Sequence, residues 1–98
     1  MSGGYVLAPR ARDDLDGIWD DTAERWDPDQ ADRYVRRLAQ SFADLATGTV
    51  RGRSAEKVRP GYFRLTVTSH VAFYRIGDGG RIEVIRILHA RMDAGRHL

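Results

Sequence analysis

The side chains able to do chemistry gather at one end of this chain. The last stretch, Arg81 to Leu98, reads RIEVIRILHARMDAGRHL and carries His89, Arg91, Asp93 and His97 directly after a run of Ile, Val and Leu. Together with Arg64, Arg75 and Arg86, expected on neighbouring strands, these residues have the types needed for metal-free cleavage of RNA: a general base, a general acid and a cation around one phosphate. Histidine is the side chain whose ordinary pKa lies nearest neutral pH. No spacing among them is diagnostic of a nuclease, and a histidine at the end of a buried strand is commonly a hydrogen-bonded structural residue. The histidines at positions 70, 89 and 97 match no metal-ligand spacing, so no metal and no cofactor is expected. There is no GxGxxG, no P-loop and no recognisable Ser, His, Asp set. Tyr62, Phe63 and Tyr74 among arginines resemble a stacking platform for single-stranded nucleic acid, but strand alternation turns Phe63 towards the core.

The elements that must position these groups are bounded by size and composition. At 98 residues the chain is expected to form one domain over residues 1–98. It has no cysteine, which excludes disulfides, a thiolate nucleophile and a cysteine zinc site. The opening MSGGYVLAPR lacks a signal peptide's basic start and apolar run, and nothing approaches bilayer-spanning length, so a cytoplasmic protein without membrane contact is expected. The net charge of +2 conceals an asymmetry: residues 1–50 sum to −4 and residues 51–98 to +6. The basic half could face nucleic acid, an acidic peptide or an acidic protein surface; the alternative is that the two halves attract each other and the excess is solvated.

Tyr5 to Leu7 reads as a short strand, followed by a helix with Pro9 in its first turn. Ala11, Leu15, Ile18, Trp19, Thr22, Ala23 and Trp26 recur at helical spacing, and the run Asp13, Asp14, Asp16, Asp20 and Asp21 reads as a solvated opposite face whose early acids suit the helix dipole. Asp27-Pro28-Asp29-Gln30 predicts a second start, with Asp27 as cap and Gln30 reaching back. This helix closes at Gly48 and must fold back on the first as a hairpin. Residues 48–61 read as a polar loop whose Arg51, Arg53, Lys57 and Arg59 form a candidate contact surface. The period then becomes two. Tyr62 to Val67, His70 to Ile76 and Arg81 to Leu88 form a three-stranded antiparallel meander, with Phe63, Leu65 and Val67 on one face. The expected fold is α+β in two layers, a helical hairpin packed on a small, mainly antiparallel sheet ordered β-α-α-β-β-β. A sheet covered on one side leaves a face and an edge for a partner.

Several segments resemble the ParE toxins of the RelE/ParE superfamily: YVLAPRA from Tyr5, WDPDQA from Trp26, RPGY from Arg59, SHVAFYR from Ser69, ILHARMD from Ile87, and the closing His97-Leu98. The resemblance implies a toxin of a type II toxin–antitoxin module that inhibits DNA gyrase and is neutralised by a ParD-like antitoxin. The ribonuclease branch shares the fold, making RelE-type mRNA cleavage the alternative. Where those ribonucleases place a catalytic arginine on the second meander strand, this chain has Val71, and their closing tyrosine is absent, with His97 nearby. No catalytic residue is therefore assigned. On this resemblance toxicity is expected in Arg91, Met92, Asp93, Arg96 and His97, with Arg59, Tyr62 and Arg64 as a second patch, and antitoxin binding at Trp19, Trp26 and Tyr34.

Overall fold

Two local signals set the helical layer. In the computed structural model, which describes residues 4–98, Pro9 opens α1 (Pro9–Arg25) and Pro28 opens α2 (Pro28–Thr47). Asp27 caps α2 by accepting the Gln30 N–H at 2.7 Å. The reciprocal arm expected from Gln30 is not made, because its Oε1 accepts from Arg33 at 2.7 Å instead. Gly48 ends α2 in the left-handed conformation, where a Cβ would be strained (φ 80°). Residues 1–3, the first part of the stretch read for a signal peptide, lie outside the described residues. Among the described residues no helix is long and apolar enough to cross a membrane.

The sheet contains five strands in the order β1-β5-β4-β3-β2, built from β1 (Tyr5–Leu7), β2 (Arg53–Ser54), β3 (Phe63–Val67), β4 (His70–Ile76) and β5 (Ile82–His89). The β3-β4-β5 meander is antiparallel, whereas β1 pairs parallel to β5. The loop expected over residues 48–61 contains β2, which pairs with β3 through only Arg53 and Ser54. Two residues are too few to show a period, so no strand signal is legible there. The helical hairpin lies on one face, where Ile18, Leu38, Phe42, Ala72, Tyr74, Val84 and Ile87 form the main core. The opposite face is not left bare: Ala55, Val71, Phe73 and Leu88 form a second apolar cluster, covered by Tyr62, Ala94 and Leu98. Ala94 belongs to a final short helix, α3 (Ala94–His97).

The acidic run of α1 holds one exception to the expected solvated face, and its first turn carries no acid. Asp14 is half-buried, and its carboxylate accepts from the Arg86 guanidinium at 2.8 and 2.9 Å and from the Ile87 N–H at 2.9 Å. The β1 ladder reaches only as far as Val84. Beyond it Asp14 supplies the acceptor a further strand residue would have offered, and so closes the β5 edge.

The turn between β3 and β4 stores strain. Thr68 has φ 54°, a conformation that a β-branched residue adopts at a cost of about 1 kcal/mol or more. Asparagine tolerates this region better, so Thr68→Asn is expected to raise unfolding free energy by roughly 0.5–1 kcal/mol in urea titration. Unchanged or lower stability would contradict the strain reading.

Candidate functional site

The end of β5 and the tail form one continuous surface with β3. After His89 the chain is fixed by backbone bonds from Ala90 N–H to Ser69 O at 2.8 Å and from Met92 N–H to His89 O at 2.9 Å. The His89 ring is exposed, and its Nδ1 accepts the Arg91 N–H at 3.1 Å. This turn leaves Arg91 and Met92 exposed, Met92 at 41%. Asp93 caps α3 by accepting the Gly95 N–H at 3.0 Å, while its ion pair with Arg96 is long, at 3.9 Å, and solvated. α3 then lays Ala94 and Leu98 over the second cluster.

The second expected patch meets this tail. Arg59 donates to the Leu98 carbonyl at 2.8 Å and lies over the Tyr62 ring, 5.6 Å from its centre. Arg64 extends over Phe73 at 6.0 Å. A cleft of about 290 Å³ joins the two groups, with Val71, Phe73 and Leu88 beside Arg64, His89, Met92 and Asp93. The structure therefore brings Arg59, Tyr62 and Arg64 together with the tail. His97 is half-buried, and its carbonyl accepts from Arg86 at 2.9 Å.

Two of the arginines considered for phosphate chemistry are already paired. Arg75 donates to Glu83 at 2.6 Å, and Arg86 is held by Asp14. The hydrogen bond to Asp14 pushes the Arg86 guanidinium further above its already high ordinary value. Among the described residues Arg64 is in no ion pair.

The three residues expected to bind antitoxin differ in setting. Trp26, at the turn between the helices, is 74% exposed rather than part of the α1 stripe. Trp19 is half-buried, with its indole N–H donated to Asp32 at 2.9 Å. Tyr34 packs against the main core, and its hydroxyl lies 2.6 Å from His70 Nδ1. Tyr34, Trp26, His70 and His89 line a cleft of about 260 Å³. The His70 pairing was not visible in the sequence, because it joins residues 36 positions apart.

Burial, then the neighbouring His89, pushes the His70 imidazole below its ordinary value, against a smaller opposing pull from Asp21. The Tyr34 hydroxyl also donates to the Val67 carbonyl at 3.3 Å, and burial raises the Tyr34 phenol. Because the folded pKa of His70 is depressed, the unfolded chain takes up a proton first as pH falls. This contribution to stability is present above about pH 6.5 and is lost as pH drops from there towards the lower folded value. His70→Gln is expected to flatten the fall in stability between about pH 7.5 and about pH 5; an unchanged slope would assign it to other groups.

With this geometry the chain compares closely with known proteins. The family model described as "ParE toxin of type II toxin-antitoxin system, parDE" matches residues 5–94. Toxin ParE1 of Mycobacterium tuberculosis is 44% identical over 98 residues, covering 100% of both chains. Among solved structures, the chromosomal ParDE system from P. aeruginosa matches with a TM-score of 0.75 at 26% identity, covering 88% of this chain and 94% of that one. The RelBE2 toxin–antitoxin complex of M. tuberculosis matches with a TM-score of 0.64 at 21% identity over 91% and 99%, a likeness of fold. The family model covers the chain from β1 to the start of α3, and the relative matches it end to end: the chain belongs to the ParE toxin family of type II toxin–antitoxin systems.

Proposed function

We propose that this toxin arrests growth in the cytoplasm by inhibiting DNA gyrase, contacting it through the tail and the Arg59, Tyr62 and Arg64 patch, and that a ParD-like antitoxin neutralises it. The observation that carries the choice of target is the floor of the cleft. Val71, Phe73 and Leu88 are nearly fully buried and apolar at the centre of the surface, where cleavage of RNA would need a cation facing the phosphate. Arg86 is tied to Asp14, and Asp93 caps α3. The competing reading, RelE-type cleavage of mRNA, draws on Arg64 and His89 lining the same cleft.

The hairpin end of the fold suits antitoxin binding. Trp26 presents a large apolar side chain to solvent beside the cleft floored by Tyr34, an arrangement suited to an amphipathic segment. A central tryptophan commonly contributes about 2 kcal/mol or more to an interface. Trp26→Ala is therefore expected to weaken the complex with its ParD-like antitoxin roughly 30-fold by titration calorimetry. Affinity within about twofold of the parent would move the antitoxin elsewhere.

Co-expression of that antitoxin is expected to lift growth arrest on induction. Normal growth of cells expressing the folded chain alone would overturn the toxin reading.

A further inference from the structure

A second concavity shares only Arg64 with the reading above. It has a volume of about 610 Å³ and is lined by Arg51, Gly52, Arg53, Ser54, Arg64, Leu65 and Thr66. Its cations are all arginines, and no carboxylate lines it. Arg53 and Arg64 are register partners across β2 and β3, so their side chains leave the same face of the sheet side by side. Like charges directly opposite repel, and among the described residues Arg51, Arg53 and Arg64 form no ion pair. The nearby Glu56 carboxylate is turned away and accepts the Gly61 N–H at 2.8 Å.

The site is also held in shape. Gly52, between Arg51 and Arg53, donates its N–H to the Tyr74 hydroxyl at 2.9 Å, and a Cβ there would come within 2.6 Å of the Arg64 carbonyl oxygen. Only glycine lets this segment lie so close to β3, and the contact fixes where the flanking arginines start. Ser54 Oγ accepts the Glu56 N–H at 3.2 Å, which leaves its own proton to donate, and Thr66 is exposed beside it.

We infer that Arg51, Arg53 and Arg64 form a binding site for the phosphodiester backbone of a nucleic acid. Guanidinium forks match the paired free oxygens of a phosphodiester, and a strand presents one such charge at every step whatever its sequence. Ser54 and Thr66 add hydroxyl donors of the kind that contact phosphate oxygens. An acidic peptide fits less well. A peptide added along a sheet edge draws specificity from pockets for alternate side chains, and this lining is mainly polar, with Leu65 as its one large apolar residue. The site reads charge and not base, so little sequence preference is expected.

The test needs neither gyrase nor antitoxin, so its failure leaves the proposed target untouched. Full-length chain is titrated against fluorescein-labelled 20-nucleotide single-stranded DNA, duplex DNA and RNA, with anisotropy read at several salt concentrations. Binding to at least one of them is expected. Arg51→Gln and Arg53→Gln should each weaken it about fivefold or more and lower the salt slope by roughly 0.7–0.9. Arg12→Gln, on the far helical layer, should change it less than twofold. The inference is overturned by any of four results: no binding at low salt, equal losses with Arg12→Gln, tighter binding to a labelled polyglutamate peptide, or binding of inorganic phosphate alone. Thermal melts of each variant verify that the fold is intact.

Discussion

A chain ending at His89 is expected to cause no growth arrest and to lose about 3 kcal/mol of stability. The two losses have separate causes. Deleting the tail uncovers Val71, Phe73 and Leu88, which Ala94 and Leu98 cover, and removes the acceptors of Arg59 and Arg86 at Leu98 and His97. Loss of toxicity by truncation alone would therefore confound folding with recognition. Substituting only Arg91, Met92 and Arg96 by serine separates them, because all three side chains are exposed and none holds the tail in place through a hydrogen bond. Such changes usually stay within about 0.5 kcal/mol each. This triple variant is expected to melt close to the parent and yet fail to arrest growth. A stable triple variant as toxic as the parent would remove the tail from the recognition surface. His89→Gln should retain most of the arrest, since the glutamine oxygen can still accept the Arg91 N–H and no proton transfer is asked of this residue.

Asp14→Ala is expected to destabilise the protein by about 3 kcal/mol, a larger effect than at any other acid of α1. The pair it forms with Arg86 is well shielded, with side-chain exposures of 16% and 11%. Removing the carboxylate leaves a shielded guanidinium without its partner and the Ile87 N–H without an acceptor. In a domain of this size that corresponds to a fall in Tm of more than about 10 °C. Asp14→Asn keeps one acceptor oxygen and should cost less. Alanine at the neighbouring exposed Asp13 should stay within about 0.5 kcal/mol. Equal, small losses at both positions would mean that β5 closes its edge without Asp14.

The sequence carried the helical hairpin and the meander because their periods are long and their punctuation is strong. Asp27-Pro28 and Gly48 bound α2 where the capping chemistry requires, and Gly79 and Gly80 adopt positive φ values in the turn before β5. Asp14 belongs to a run of acids with the pattern of a solvated face, yet it lies three residues after Ala11 and four before Ile18, on the border of the buried stripe. That position was a signal for a shielded acid, and its partner 72 residues away was not readable. The two-residue β2 and four-residue α3 are too short to express any period, so the pairing of Arg53 with Arg64 and the cover over the second cluster emerge only in three dimensions. Of the tail residues Arg91, Met92, Asp93 and Arg96 are all exposed, and Asp93 also caps α3. The exposed Trp26 continues the α1 stripe's spacing in the sequence but stands one residue beyond the end of the helix.

Gyrase as the target and the tail as its contact can be tested together in one assay. Purified toxin is added to DNA gyrase and relaxed plasmid, and in parallel to ribosomes programmed with mRNA. Supercoiling should stop, cleaved plasmid should accumulate, and the mRNA should stay intact; the triple variant of Arg91, Met92 and Arg96 should leave supercoiling normal. Cleaved mRNA with undisturbed supercoiling would contradict the account and assign this chain to the ribonuclease branch of its superfamily.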